Sequence, residues 1–430
     1  MNSKIARQVY IFGTKYRNKS LWKEYEALKD SEWLDFSSLS CLQLRNAHKF
    51  FSFVQQYSPF YKKTFGQCGF STGKLLSIQD IACIPPVSKH ELIANKDAIH
   101  TDFHFGKTFL AETSGTTGIA LEFVKNERWD SVNRAAMMRS YDWYGVKPWD
   151  RSGYFWGYNS APSRAIKIKF LDALQNQFRV FDYKRRSIEA FARRLYSADY
   201  IAGYSSMIYE VAKLINQMGL PAKELKLVKG TSEMILDVYH AESKKAFGRK
   251  VTSEYGAAEA GLIAFECPQG NMHINIENVI VEVEEDGGIL VTNLASWSFP
   301  IIRYRLGDVV RLSSKKCACG RSHPIIEEIL GRKGSVVHGV SETYPALTFY
   351  YVFKNLAQEH GILINYKAEQ REVGNVAIYV EDISNKRHED MIRKELRKYF
   401  ADDVIFELHY AIRLGDHMKK AQYFESMIYQ

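Results

Sequence analysis

Thr113, Ser114, Gly115, Thr116, Thr117 and Gly118 stand in one row of the chain. Four hydroxyls and two glycines in six residues suit the binding of an anion. Glycine lets the backbone turn tightly and come close to a ligand, and successive N–H groups in such a turn make a concave anion site. A phosphate is the natural guest. A nucleotide P-loop needs G-x-x-x-x-G-K-[ST] opening a helix. Here Ile119 follows Gly118, and extended-looking runs, 108–112 and 120–124, flank the row. The context is strand, loop, strand, and a plain Ser/Thr/Gly-rich hairpin turn is the alternative.

Three more groups could work beside it. Tyr255-Gly256-Ala-Ala-Glu259 offers an aromatic ring to stack on a base, a tight turn and a carboxylate to hold Mg²⁺. Tyr304-Arg-Leu-Gly-Asp308 ends in a carboxylate able to accept hydrogen bonds from ribose hydroxyls. Lys420, near the C-terminus, supplies a cation. Taken singly, Glu259 reads equally as a solvated acid, Asp308 as a turn former and Lys420 as a surface lysine.

Positioning these residues falls to a layered chain. Residues 1 to about 75 read as helical, and Ser88 is placed to cap a helix over 89–95. From 126 to 254, short apolar runs alternate with ten-residue helical patterns, as in parallel α/β layers. Ligands of such sheets bind beyond the carboxyl ends of the strands. The segments after Val228 and Glu254 fall at such ends. From about His273 to Leu312 the pattern becomes a meander, with a hairpin signal at Asp286-Gly287, and predicts a small antiparallel sheet or barrel. Beyond a Gly-punctuated break at 331–335, the order helix, strand, strand, helix, strand describes a compact α+β module. The expected fold is therefore α/β: a large N-terminal domain of layered mixed sheets and helices (1–330) with a small β-barrel-like subdomain, a hinge (331–335), and a small C-terminal α+β, ferredoxin-like domain (336–430).

Composition sets wider bounds. The chain has 430 residues, 46% hydrophobic and 25% charged, which is long enough to bury a large core without staples. A net charge of +9 favours acidic partners such as nucleotides or CoA. Lys and Arg are scattered, with no basic stripe interleaved with aromatics, so nucleic acid is not an expected partner. No apolar run approaches the length of a membrane span or a signal peptide. Six cysteines are too few for a disulfide scaffold. A cytoplasmic protein, monomer or homodimer, is expected.

Together these motifs, in their order, resemble the core motifs of the adenylate-forming superfamily of acyl-CoA synthetases, and within it the phenylacetate–CoA ligase and CapK-like (capsule biosynthesis) branch. Gly230-Thr231-Ser232-Glu233 is similar to the family's adenine-side segment, and Ile201-Ala-Gly-Tyr-Ser-Ser206 to its Gly-x-Pro-Ser turn. Ser58-Pro-Phe-Tyr61, Ile84-Pro-Pro-Val-Ser-Lys89, Cys317-Ala-Cys-Gly-Arg321 and Gly331-Arg332 also match, so the resemblance spans nearly the whole chain. It implies that residues 113–118 hold the phosphates of ATP, with Thr117 close to the chemistry, and that Glu259 binds Mg²⁺. It further implies that Tyr255, Gly256 and the 230–233 segment frame adenine, that Asp308 holds ribose, and that Arg332 reaches ribose or phosphate. Lys420 would bridge the carboxylate and the α-phosphate from a mobile C-terminal domain. The sequence departs from the family at Lys333-Gly-Ser335, where an acidic hinge is usual, and at Lys419, where glycine is usual, so either lysine is a candidate.

The implied activity is ATP-dependent activation of a carboxylic acid as acyl-AMP and transfer to a thiol, with CoA the expected acceptor. Transfer to an amine or sugar in surface-polysaccharide assembly is the second reading. A non-catalytic nucleotide-binding protein is the third. Tyr154, Phe155, Trp156 and Tyr158 suggest an aromatic or flat acid, or simply core packing. Cys267 and His273, separated by five residues, with Cys317 and Cys319 following after about 43 more, make a three-thiolate, one-imidazole set suited to a structural Zn²⁺. Buried, unliganded thiols are the alternative, and similar clusters in the branch favour zinc. Cys41, Cys68 and Cys83 are expected as core thiols.

Overall fold

A computed structural model describes residues 3–113, 121–155, 162–180, 185–221, 223–332, 336–346, 348–412, 414 and 423–428. The chain divides into two compact units, Met1–Asp150 with Ser253–Ile329, and Arg151–Thr252 with Leu330–Gln430.

The first part of unit one is helical: α1 (Ser3–Arg17), α2 (Leu21–Ser31), α3 (Phe36–Tyr57), α4 (Pro59–Cys68), α5 (Lys89–Ala94) and α6 (Lys96–Ile99). The ends follow local chemistry. Asp35 caps α3 through Ser38 N–H, Pro59 opens α4, and Ser88 with Glu91 forms a capping box on α5. The strands β1 (Thr108–Glu112) and β2 (Glu122–Asn126) pair antiparallel, as the strand-loop-strand reading requires. Then comes α7 (Glu127–Asp142).

Unit two begins with β3 (Ser152–Phe155), α8 (Pro162–Leu174), β4 (Gln177–Arg179), α9 (Arg185–Leu195), β5 (Tyr200–Tyr204), α10 (Ser205–Gln217), β6 (Leu227–Thr231) and α11 (Asp237–Phe247). Its strands run parallel in the order β6-β5-β3-β4, the α/β layering expected from the alternating pattern. Phe155 is fully buried and packs on Phe191 with 4.3 Å between ring centroids, so core packing accounts for it. Trp156 and Tyr158 lie outside the described residues.

Returning to unit one, β7 (Thr252–Ala257), β8 (Gly261–Glu266), β9 (Met272–Ile274), β10 (Val279–Val283), β11 (Gly288–Asn293), β12 (Ile301–Ser313) and β13 (Ile325–Arg332) lie in the order β10-β11-β12-β13-β9-β8-β7. The Asp286-Gly287 hairpin forms: Gly287 has φ +82° and Asp286 accepts the Gly288 N–H at 3.0 Å. The meander β10-β11-β12 pairs antiparallel in sequence order, as expected, and forms one flank of this longer row among the described residues. Its β12 and β9 are bridged by β13, a pairing made by residues far apart in sequence. Phe50, Phe51, Phe65, Phe123, Trp129, Phe299 and Tyr304 anchor the core of this unit.

Unit two resumes with the hairpin of β14 (Val336–His338) and β15 (Thr343–Pro345), followed by α12 (Thr348–His360), β16 (Tyr366–Glu372), β17 (Asn375–Val380), α13 (Lys386–Phe400), β18 (Ile405–His409) and β19 (Phe424–Ser426). The sheet order is β18-β17-β16-β19, with β17 and β18 parallel neighbours joined by α13. This departs from the ferredoxin-like expectation, whose βαβ units are split by an intervening strand. The module shares a hydrophobic core with α10 and α11. Tyr209 and Tyr239 stack at 4.6 Å; Tyr209 donates to Glu381 at 3.0 Å, and Lys213 pairs with Glu381 at 2.8 Å. The hinge residues 333–335 lie outside the described residues. No helix among the described residues is long and apolar enough to cross a membrane.

Candidate functional site: a clasp of two carboxylates beside a closed hairpin

In unit one the residues nominated for nucleotide chemistry come from three strands. Thr113 is buried and closes the end of the β1–β2 hairpin: its N–H donates to Leu121 O at 3.0 Å, and its Oγ1 accepts the Leu121 N–H at 2.9 Å. The turn that this pair closes, Ser114–Gly118 included, lies outside the described residues. The strand then passes to α7 through Asn126, whose N–H donates to Ser298 Oγ at 2.8 Å.

Glu259 and Asp308 are held crosswise. Tyr304 donates to Glu259 Oε1 at 2.9 Å, and Tyr255 donates to Asp308 Oδ2 at 2.9 Å. Each motif thus supplies the hydroxyl that orients the other motif's acid. Two backbone irregularities set this up. A β-bulge falls between Tyr255 and Gly256, and a Cβ on Gly256 would stand 2.4 Å from Gly261 O, so the β7–β8 turn admits only glycine there. Gly307 has φ +87°, the left-handed region, within the register shift of β12 against β11. That break turns Asp308 out of plain alternation. Val87, in the Ile84-Pro-Pro-Val stretch before α5, clamps the same strand: its N–H donates to Arg303 O at 3.1 Å, and Arg305 N–H donates to Val87 O at 2.9 Å. Glu259 is 6% exposed, so its carboxylate is aimed by neighbours rather than dispersed in solvent. Asn293 Nδ2 donates to the Glu259 carbonyl at 3.2 Å and fixes the backbone below it. The sequence reading names both acids and Tyr255 but gives Tyr304 no role; its place four residues before Asp308 carried the signal.

The adenine-side candidates Gly230, Thr231, Ser232 and Glu233 belong to unit two, at the carboxyl end of β6. Ser232 has φ +67°, and the Glu233 carboxylate accepts the Ser206 N–H at 2.9 Å at the start of α10. Arg332 is the last residue of β13, and nothing of its side chain is described. Lys419 and Lys420 lie outside the described residues.

A second constellation is complete in unit one. The ligand atoms of Cys267, His273, Cys317 and Cys319 all lie within 4.8 Å of one another. Cys267 and Cys317 Sγ are 3.6 Å apart, and Cys319 Sγ is 3.2 Å from His273 Nε2. A zinc tetrahedron has edges of roughly 3.5–3.8 Å, from bonds of about 2.3 Å to sulfur and 2.0–2.1 Å to nitrogen. The donor set therefore fits. His273 Nδ1 faces His323 O at 3.2 Å, which suits a ring presenting Nε2 to a metal. Burial, ahead of its charged neighbours, pushes the His273 pKa down to about 4. Burial likewise lifts Cys267 to about 12. Burial opposes the Cys319 thiolate too, but the Arg321 backbone N–H and its other donors draw its pKa below the usual thiol value. Arg321 lies between the rings of Trp33 and Trp143 and pairs with buried Glu32 at 2.6 Å, tying this loop to the end of α2. Cys41 and Cys83 are exposed, a correction to the core thiols expected, while Cys68 is half-buried at the end of α4 and packs against the core.

No family model matches the chain. It is 22% identical over 401 residues to Protein CapK of Staphylococcus aureus, covering 90% of this chain and 87% of that one. It is 23% identical over 343 residues to the phenylacetate-coenzyme A ligase of Thermus thermophilus, covering 73% of this chain and 75% of that one. Among solved structures, 2-hydroxyisobutyryl-CoA ligase in the postadenylation state superposes with a TM-score of 0.74 at 16% identity, covering 92% of this chain and 90% of that one. Its open conformation with 2-HIB-AMP and CoA superposes with a TM-score of 0.61. At such identity the structures speak for the fold. The two sequence likenesses and the motifs above make the chain similar to the adenylate-forming superfamily, in its phenylacetate–CoA ligase and CapK-like branch, and the solved structures give it that fold.

Proposed function

We propose that the protein is an ATP-dependent carboxylate ligase that makes an acyl-adenylate and passes the acyl group to a thiol, CoA being the expected acceptor. The observation that carries this reading is the crossed clasp: Tyr304 on Glu259 and Tyr255 on Asp308, two carboxylates from distant motifs, each oriented by a neutral donor of the other motif. A tyrosine donor leaves the acid its charge, which a metal ion and a ribose each require.

In this account a substrate carboxylate attacks the α-phosphorus of ATP and pyrophosphate leaves. Both partners are anions, so the enzyme's task is positioning and charge neutralisation. Mg²⁺, held by Glu259, would supply part of the neutralising charge. The turn closed by Thr113 and Leu121 would seat the phosphates, with Thr117 near the reacting centre. Asp308 would hold the ribose, while Tyr255, Gly256 and residues 230–233 would frame adenine. Arg332 and Lys420, or Lys419 in its place, would complete the site, the lysine arriving with residues 336–430 about the hinge at 331–335. Cys267, His273, Cys317 and Cys319 would hold a Zn²⁺ that braces the fold and takes no part in the reaction.

The likeness to Protein CapK spans more of the chain than the likeness to the ligase and favours a second acceptor class, an amine or sugar. Both readings share the first half-reaction. Product analysis with ATP and a panel of aryl, fatty, amino and hydroxy acids separates them. AMP and pyrophosphate formation that rises with CoA supports the thiol acceptor. Formation that ignores CoA and rises with amines or nucleotide sugars supports the other. Release of ADP contradicts both.

A further inference from the structure

Helix α1 is fastened to unit one by one face. Tyr10 donates to Met138 Sδ of α7 at 3.6 Å, and its ring packs 5.7 Å from that of Trp149. Thr14 Oγ1 accepts the Trp22 N–H from α2 at 3.2 Å, and Ala6 and Thr14 are buried. Three large apolar side chains stand clear of this face: Ile5, Phe12 and Tyr16 are 57%, 78% and 79% exposed. They are spaced by seven and four residues, which sets them on one stripe of the helix, roughly 16 Å long at 1.5 Å per residue. Single exposed hydrophobics are ordinary, but a continuous row of them marks a contact surface.

The charge around the stripe has one sign. Residues 3–19 include Lys4, Arg7, Lys15, Arg17 and Lys19 and no Asp or Glu. Arg7 lies over the Trp149 ring, and Arg17 meets Asp130 of α7 at 3.7 Å, an acid shared with Arg134. Lys15 and Lys19 are exposed. Lys107, just before β1, stands 4.9 Å from the Tyr16 ring centroid and donates to the Tyr16 carbonyl at 3.1 Å.

This charge selects the occupant. A second copy fits poorly, because a two-fold contact sets the same patch against itself and brings Lys15 and Lys19 toward their own copies. An anionic bilayer surface matches both halves. Its headgroup–acyl boundary takes the apolar side chains and its phosphates take the ammonium groups, while the lysine stems lie along apolar surface. Tyr16, an apolar ring with a polar tip, suits the headgroup level.

We propose that α1 docks unit one on an anionic membrane surface, with Ile5, Phe12 and Tyr16 entering the headgroup–acyl boundary and Lys15, Lys19 and Lys107 over lipid phosphates. The contact is peripheral and does not depend on the adenylation reading.

Co-sedimentation of the full chain with phosphatidylcholine vesicles, alone or with phosphatidylglycerol added, tests this. Phe12→Ser with Tyr16→Ser removes the stripe, and Lys15→Gln with Lys19→Gln removes charge. We expect the wild type to bind the anionic vesicles at least about tenfold more tightly than the neutral ones and to be released by salt. Each double variant should weaken anionic binding by about tenfold or more, with AMP and pyrophosphate formation from soluble substrates unchanged. A wild type that ignores anionic vesicles overturns the proposal, as does binding that F12S/Y16S leaves intact. A wild-type dimer that F12S/Y16S dissociates, with no vesicle binding, also overturns it and gives the stripe to a second copy. If F12S/Y16S does not fold, F12S alone decides, and vesicle binding equal to the wild type's sinks the assignment.

Discussion

Tyr304 donates to a carboxylate that is almost wholly buried, and a hydrogen bond to a charged acceptor is worth roughly 1.5–3 kcal/mol. Tyr304→Phe is therefore expected to destabilise the protein by about that amount in urea titrations. It is also expected to raise the Mg²⁺ concentration for half-maximal adenylation about tenfold or more, the usual cost of losing a partner that orients a metal ligand. Glu259→Gln is expected to lower adenylation by at least about 100-fold while leaving the melting curve close to wild type. His240 gives a prediction in pH. Burial, followed by Lys250 and Lys244, holds its pKa down to about 4 against an ordinary 6.5. The folded protein thus keeps it neutral where the unfolded chain would protonate it. Its contribution to stability is whole above pH 6.5 and is lost as pH falls from 6.5 to about 4. His240→Gln should flatten the fall of melting temperature across that window, and a slope equal to the wild type's would remove His240 from the explanation.

The elements show what can and cannot be read from residue order. The capping box at Ser88 and the Asp286-Gly287 turn were legible because they are local: the residues that make the hydrogen bonds are three and two apart. The two carboxylate motifs were legible as motifs for the same reason. Their crossed pairing was not, because Tyr255–Asp308 and Tyr304–Glu259 each join residues about 50 apart through a sheet whose order is not sequential. The antiparallel meander was legible strand by strand, but its continuation through β13 into the longer row was not: periodicity identifies a strand but not its distant neighbour. The three cysteines and one histidine were legible as a possible metal set from donor type and the likeness to the branch; the fold brings their ligand atoms together and adds the Arg321–Glu32 tie between the loop and α2. We expect about one zinc per chain by elemental analysis of protein purified without chelator. Stripping it, or the change Cys317→Ser, should lower the melting temperature by at least about 5 °C. Tryptophan emission should shift as well, since Trp33 and Trp143 flank Arg321. Adenylation by the surviving folded protein should be little changed, because none of these four residues enters the proposed site.

For the molecule as a whole, the arrangement of unit two matters most. Residues 336–430 share a core with α10 and α11, and Glu381 receives both Tyr209 and Lys213. A rotation of that segment about residues 331–335, as proposed for delivering Lys419 or Lys420 and later the acceptor, has to break these contacts. Glu381→Ala should loosen them. Hydrogen exchange should then speed up in β16 and β17, and the ratio of acyl transfer to adenylation should change. Unaltered exchange and an unaltered ratio would argue that the segment does not move as a body. The positive net charge of +9 fits a protein that gathers polyanions such as ATP and CoA, and its effect on nucleotide capture should weaken as salt is raised.

The central claim is that one nucleotide spans the Thr113–Leu121 closure and the Glu259–Asp308 clasp. A crystal structure with Mg²⁺ and a nonhydrolysable ATP analogue tests it most directly. The account predicts phosphate density at the hairpin turn, a metal on Glu259 and ribose hydroxyls on Asp308. Nucleotide density that touches neither the turn nor the two carboxylates would contradict it.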